Sequence, residues 1–323
     1  MIKTCPLFSI CGGCTYDFAS PNYRAEKIKK LNGWDLSSEP FWTDVGQRRR
    51  ADFCFSGCEF GFYQRGTKNI IRVDRCPNLL PEINAILPKL AALPWVGTGS
   101  ALVTVCDNGI DLGVVSDVPY FTREFKESLE KLPLIRVTWN GNIVMQKTQP
   151  KISFAGHTVD YTPNAFLQPT AQSESAMREF VASHIDDGAR VADLFCGLGN
   201  FTFVANADGQ GRDGVSKANI DGFDVVGTGA KRDLFKNPLS VKMLNTYDVI
   251  IMDPPRAGAL AQTKLIAESN VKKVIYVSCN PTTLRRDAKI LSDAGYKITA
   301  TAAFDQFVGT DHWEIAVVFE KRS

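Results

Sequence analysis

Cys279 stands where a thiol could act as a nucleophile. It lies in Tyr276-Val277-Ser278-Cys279-Asn280-Pro281, at the junction of an apolar run and a helix start. Residues 271–278 read as a buried strand. Pro281 pre-sets a first helical turn, and Leu284, Ala288 and Leu291 give the three-to-four spacing of an amphipathic helix. A thiol near the positive end of a helix is expected to favour thiolate, the reactive form. Ligands of open α/β sheets also bind at strand ends. Taken alone, the position suits a buried packing cysteine better. Two carboxylates have comparable addresses. Asp253 ends the apolar run of Ile251-Met252-Asp253-Pro254-Pro255-Arg256, where two prolines stiffen the loop behind it. Glu314, in Asp311-His312-Trp313-Glu314, sits at the mouth of the last strand beside an aromatic that could desolvate it and raise its pKa.

The stretch Val191-Ala192-Asp193-Leu194-Phe195-Cys196-Gly197-Leu198-Gly199-Asn200 reads as a strand, a tight glycine turn and a helix start. Its G-x-G is short, and the dinucleotide pattern G-x-G-x-x-G is absent. An acid at the strand end followed by small residues instead suits S-adenosylmethionine. At the other end of the chain, Cys5, Cys11 and Cys14 have C-x5-C-x2-C spacing, and Cys76 stands alone in Arg-Cys-Pro. Four thiolates could hold zinc or an iron–sulfur cluster. Three close ligands and a distant fourth followed by proline suit a four-iron cluster better than the paired spacing of zinc sites. Cys54 and Cys58 fall on an aromatic strand and read as packing.

These residues need a scaffold, and the chain of 323 residues is long enough for two or three cores. Hydrophobic content of 44% and charged content of 22% are ordinary for a soluble protein. No apolar run reaches membrane-spanning length and the N-terminus lacks a signal-peptide pattern, so a cytoplasmic location is expected. There thiols stay reduced, which favours metal or catalytic roles for the nine cysteines over disulfides. Net charge is only +2, but residues 1–80 hold twelve Lys/Arg against eight Asp/Glu. Arg48-Arg49-Arg50, Arg65, Lys68, Arg72 and Arg75 interleave there with Phe53, Phe55, Phe60, Phe62 and Tyr63. That mixture suits a nucleic-acid surface or an ordinary solvated sheet face.

Three segments follow. Residues 1–80 are turn-rich with short strands and the clustered cysteines. Residues 81–164 combine helices at 80–92 and 122–131 with strands at 101–106, 134–139 and 142–146. Residues 165–323 alternate helices with buried strands at 190–195, 248–253 and 271–278, the pattern of a parallel doubly wound sheet. Residues 298–304 and 314–321 read as a closing hairpin at the sheet edge. The expected fold class is therefore α/β: a C-terminal Rossmann-like domain, an N-terminal cysteine region and a small α+β central domain.

Taken in order, C-x5-C-x2-C, Cys76, Phe166-Leu167-Gln168, DLFCGLGNF, DPPRAG, VSCNP and His-x-Glu resemble the RNA uracil-5-methyltransferase family over nearly the whole chain. The chain starts at the cysteine cluster, without a preceding TRAM barrel. It is most similar to the branch that methylates a uridine in 23S ribosomal RNA. The tRNA branch, which lacks the cluster, is less similar. The resemblance implies a methyltransferase role for the C-terminal domain and an RNA-binding role for the central one, with Cys279 adding to uracil C6 and Glu314 removing the C5 proton. It implies that Gln168, Phe195, Asn200 and Asp253 contact S-adenosylmethionine, that Asp233 matches an acid near the adenine, and that Cys5, Cys11, Cys14 and Cys76 hold a [4Fe-4S] cluster. The partner would be RNA met by a monomer, with the target base flipped from its stack. From their charge, Arg256, Arg285 and Arg286 are expected to grip phosphates. Between Asn200 and Asp233 the chain departs from the family. Gly214-Val215-Ser216-Lys217 aligns with a strand end that carries a ribose-binding acid, and Ser216 stands at the acid's place, with Asp221 or Asp224 as substitutes. If none served, the chain would be an RNA-binding protein of the same fold with weakened catalysis.

Overall fold

In the computed structural model, residues 4–31, 33–204, 219–224 and 229–321 are described. Helix α1 (Tyr23–Ile28) and strand β1 (Phe41–Trp42) precede a run of β2 (Arg50–Ser56), β3 (Glu59–Tyr63), β4 (Ile70–Ile71), α2 (Pro81–Ala91), β5 (Thr98–Cys106), β6 (Gly109–Ser116), α3 (Arg123–Glu130), β7 (Leu134–Trp139) and β8 (Asn142–Gln146). A two-stranded ribbon follows, β9 (Lys151–Phe154) and β10 (His157–Asp160). The rest of the chain forms α4 (Ala171–Ala182), β11 (Arg190–Leu194), β12 (Asn219–Asp224), β13 (Ala230–Lys231), α5 (Val241–Leu244), β14 (Val249–Met252), α6 (Leu260–Ala267), β15 (Lys273–Ser278), α7 (Pro281–Asp293), β16 (Tyr296–Asp305) and β17 (Glu314–Lys321).

Strands β2 to β8 make one seven-stranded sheet in the order β4-β3-β2-β5-β6-β7-β8. The boundary expected at residue 80 falls inside this sheet, because β2 pairs along its whole length with β5. The reason is apolar. Phe53, Phe55 and Phe60 are buried with Trp95, Phe125 and Trp139 under α2 and α3, and Phe55 and Trp95 stack with ring centroids 4.6 Å apart. The aromatics that suggested a nucleic-acid face are therefore mostly core, with Tyr63 an exposed exception. The arginine triplet is likewise committed. Arg49 pairs with the buried Glu174 at 2.6 Å, Arg48 donates to the Arg50 carbonyl, and Arg50 lies over the Phe166 ring.

The second sheet runs β1-β16-β17-β15-β14-β11-β12-β13. From β15 to β13 the strands are parallel, while β17 is antiparallel to both β15 and β16. Alternate residues of β14 enter two different cores: Ile250 and Met252 on one side, Val249 and Ile251 on the other. Burial on both faces explains why this strand reads as a continuous apolar run. The closing hairpin does not form the edge as expected. Strand β17 is inserted between β15 and β16, and β1, from the N-terminal segment, pairs in parallel with the end of β16 and covers it. No described helix is long and apolar enough to cross a membrane.

A buried ion pair locks the N-terminal segment to the end of β16. Lys27 Nζ pairs with Asp305, which also accepts from Tyr23 Oη at 2.7 Å, and Lys27 Nζ donates to the Phe307 carbonyl at 2.9 Å. Lys27→Met would strand the Asp305 charge in the interior. It is expected to lower unfolding free energy by about 3–5 kcal/mol, whereas Lys27→Met with Asp305→Leu should lose less. Urea midpoints at unchanged slope measure this, and a single variant as stable as the parent would contradict it.

Candidate active site

From β11 the chain winds outward through β12 and β13, then returns to place β14 on the opposite side of β11. The carboxyl ends of β11 and β14 therefore flank the point where strand order reverses, the place where open α/β sheets bind ligands. A cavity of about 690 Å³ opens there. Gln168, Phe195, Asn200, Asp253, Cys279 and Glu314 all line it. Six of the eight residues expected at the nucleophile and cofactor positions thus converge from separate segments of the chain.

The turn after β11 is built by left-handed backbone at Phe195 (φ +64°), Gly197 (φ +54°) and Gly199 (φ +96°). Such values suit glycine, but Phe195 must be held there. Its N–H bonds the Phe223 carbonyl at 2.9 Å, and its ring packs on Phe235 with centroids 5.4 Å apart. Strand β12 pairs with β11 in the register Asp193↔Gly222 and Leu194↔Phe223, so its final residue is Asp224. Ser216 falls outside the described residues; Asp224, one of the two expected substitutes, lines the cavity and accepts the Gly197 N–H at 2.8 Å. Asp233 does not line the cavity. It caps its own turn, accepting the N–H groups of Phe235 and Lys236 and pairing with Lys236 Nζ at 3.2 Å, while Leu234 and Phe235 face inward.

The polar groups of the cavity are oriented by their neighbours. Gln168 Nε2 donates to Asp253 Oδ2 at 3.2 Å, which leaves Gln168 Oε1 buried without a partner. Asn200 Oδ1 accepts from Arg178 at 3.0 Å, leaving Asn200 Nδ2 unpartnered. Arg178 and Arg49 both bind the buried Glu174, and Arg49 also holds the Gln168 carbonyl at 3.1 Å. The chain therefore aims one bare acceptor and one bare donor, which a ligand must satisfy. Below the glycine turn, Asp193 accepts from Thr202 Oγ1 at 2.7 Å, and burial pushes its carboxyl up to about 7.

Cys279 is half-buried on the turn between β15 and α7. The turn is tied to the proline loop after β14. Asn280 Oδ1 caps Thr282 N at 3.1 Å, and Asn280 Nδ2 donates to the Arg256 carbonyl at 2.8 Å. The expected thiolate is not what the free site favours. Burial, then the carboxylates of Glu314 and Asp253, push the thiol up to about 12, and Arg256 opposes them only partly. The helix end is outweighed by desolvation and two nearby acids. Both acids are themselves raised, Asp253 by burial with Asp193 and Asp224 close, Glu314 by burial with Asp253 close. The neighbouring Trp313 packs in the core with Tyr276 and Ile315, where its Nε1 donates to the Lys27 carbonyl at 3.1 Å. Two of the arginines expected to grip phosphates are engaged elsewhere: Arg286 pairs with Asp287 at 2.8 Å, and Arg285 lies over Trp34. Arg256 is exposed and lines the cavity.

Cys5, Cys11, Cys14 and Cys76 line a separate cavity of about 180 Å³ with Arg48 and Asn78. Among the described residues no group of three or more His, Cys, Asp or Glu is arranged to hold a metal ion.

Comparison with known proteins places this geometry. The family model for tRNA (uracil-5-)-methyltransferases matches residues 231–322. An uncharacterized RNA methyltransferase of Rhizobium meliloti is 36% identical, covering 96% of this chain and 82% of the relative. The chain belongs to the RNA uracil-5-methyltransferase family. A 23S rRNA (uracil(1939)-C(5))-methyltransferase, RlmD, of Salmonella typhi is 27% identical over 98% of this chain and 81% of its own. The tRNA (uracil-54, C5)-methyltransferase of Pyrococcus abyssi, solved with S-adenosyl-L-homocysteine, shares the fold. Its TM-score is 0.76 at 22% identity, covering 98% of this chain and 87% of that one.

In this RNA methyltransferase the raised thiol has a direct consequence. Iodoacetamide should alkylate Cys279 of the free enzyme at neutral pH more slowly than the exposed Cys58, with a rate still climbing above pH 9. Peptide mass mapping measures both sites together. Equal rates at pH 7 would mean the thiol is not shifted.

Proposed function

We propose that this enzyme methylates C5 of a uridine in 23S ribosomal RNA with S-adenosylmethionine as donor. The observation that carries the reading is one cavity at the switch point lined by Cys279, Asp253 and Glu314, with Asp224 at the neighbouring strand end. The 23S target rests on the RlmD relative, which is similar over nearly all of this chain. A tRNA target, suggested by the family model and the Pyrococcus fold, is the competing assignment.

The roles follow from position. Gln168, Phe195, Asn200 and Asp253 surround the methyl donor, and Asp224 takes the place of a ribose-binding acid. The bare Gln168 Oε1 and Asn200 Nδ2 fit a ligand that carries both an ammonium and a carboxylate. When bound, S-adenosylmethionine supplies an electrophilic methyl, which C5 of the activated ring takes. The Cys279 sulfur adds to C6, and the electron pair moves onto the ring, making C5 nucleophilic. Glu314 accepts the C5 proton, the C6–sulfur bond breaks, and the thiolate leaves. Burial and the nearby acids raise the Cys279 thiol, so its proton leaves to solvent as positive charge enters beside Asp253 and Glu314, and the same charge favours the Glu314 carboxylate that later takes the C5 proton. Asp233 acts through the turn that presents Phe235.

The same reading assigns the N-terminal thiols to an iron–sulfur cluster. It rests on the C-x5-C-x2-C spacing with a distant Cys76 followed by proline, and on the cavity that the four cysteines line together.

Purified enzyme should form a denaturation-resistant adduct with 23S RNA carrying 5-fluorouridine, and Cys279→Ser should form none. Glu314→Gln should lower kcat by roughly 10²–10⁴-fold. Asp224→Ala should weaken S-adenosylmethionine binding about ten- to a hundred-fold by calorimetry. Unchanged 5-methyluridine in 23S rRNA from cells lacking the gene would sink the target assignment, and absence of any Cys279-dependent adduct would sink the chemistry. Chemical analysis should find roughly four irons and four sulfides per chain, lost in Cys76→Ser; zinc in their place would overturn the cluster assignment.

A further inference from the structure

We propose that Gln306 is a positioning residue for the proposed base, its side-chain amide holding the Glu314 carboxylate in place for proton removal. The proposal rests on the reading of Glu314 given above.

Gln306 is buried, only 1% exposed, immediately beyond β16. Strands β16 and β17 pair up to Phe304↔Glu314, so Gln306 follows the last paired residue and folds back beside the start of β17. There its Nε2 donates to Glu314 Oε2 in a short, fully buried contact. Among the described residues this is the hydrogen bond recorded for the Glu314 side chain. The backbone on each side of Gln306 is held fast. Asp305 binds Lys27 and the Tyr23 hydroxyl, while the Phe307 carbonyl accepts from Lys27 Nζ at 2.9 Å and from Thr310 Oγ1 at 2.9 Å. An amide delivered from so fixed a segment can set the direction of the carboxylate it meets. Gln306 Oε1 has no partner, so the side chain is spent on this one bond rather than on the core around it.

The chemistry requires such a residue. Asp253 faces Glu314 from the end of β14, Cys279 from the end of β15, and Arg256 and His312 line the same cavity. Burial and Asp253 favour the protonated form of Glu314, and the Gln306 amide is the group that opposes them. A donor to a carboxylate favours its charged form, so removing the donor raises the pKa. The acid limb of the pH–kcat profile must then move to higher pH.

Gln306→Leu and Gln306→Met remove the donor while keeping an apolar body of similar size. Each should lower kcat about ten- to a hundred-fold, the range for losing a hydrogen bond to a charged group. The limb should move upward in pH, with calorimetric binding of S-adenosylmethionine unchanged. Methyl transfer precedes the step Glu314 performs. The variants should therefore form the 5-fluorouridine adduct as fast as the parent, and with ordinary uridine RNA they should accumulate a methylated covalent adduct. Gln306→Asn, which retains a donor on a shorter arm, should recover part of the rate. Parental kcat and an unmoved pH profile in both donor-free variants would overturn the proposal, as would loss of cofactor binding and adduct formation together, which would mark Gln306 as structural. If the parent itself forms no adduct, the base assignment falls, and this proposal with it.

Discussion

Crowding of carboxylates at one end of one sheet is the constraint on which the rest of the structure depends. Asp193, Asp224, Asp253 and Glu314 stand at or beside the ends of four strands, and three of them are shifted upward by burial and by one another. Holding such groups together in a low-dielectric site costs stability unless they are neutral or met by positive charge. The protein satisfies part of the demand with Thr202, Gln168, Gln306 and the Gly197 N–H. The remainder is left for a ligand. A cationic methyl donor would answer that need, and burial together with the same acids raises the Cys279 thiol.

Accuracy at this site depends on segments distant in sequence. Lys27 and Tyr23 fix Asp305, while Thr15 and Tyr16 donate to the Gly309 carbonyl at 2.6 and 2.8 Å. Asn78 Nδ2 donates to the Val308 carbonyl at 3.1 Å and approaches Cys14 Sγ at 3.5 Å. The loop from Gln306 to Glu314 is thus clamped by the region around the four cysteines. On the opposite wall, Arg49, just before β2, reaches across to Glu174 and the Gln168 carbonyl. The segments that read as separate units in sequence are joined by buried polar contacts, which are costly to break singly.

Much of the site is legible in the residues alone, because strand ends in a doubly wound sheet are marked by apolar runs that stop at a chemically active residue. Asp253 and Cys279 carry that mark, and Glu314 stands where the last such run begins. The arginine triplet and its neighbouring phenylalanines mislead for a definable reason. Basic and aromatic residues alternate on a strand whether one face meets RNA or the aromatic face meets a core, and here Phe53 and Phe55 are buried. Spacing from the glycine turn does not fix where the neighbouring strand ends; the pairing of Asp193 with Gly222 sets that register and puts Asp224 at the cavity.

The sequence by itself determined the alternation of strands and helices in the C-terminal half, the strand-end addresses of Cys279 and Asp253, and the family, because these depend on residue type and local periodicity. The tertiary structure alone decided that Asp224 lines the cavity, that burial raises the Cys279 thiol, and that Gln306 meets Glu314. The physical reason is that proton affinity and hydrogen-bond partnership depend on distance and burial. Those are set by chain segments that meet only in the folded sheet, and no local pattern records them.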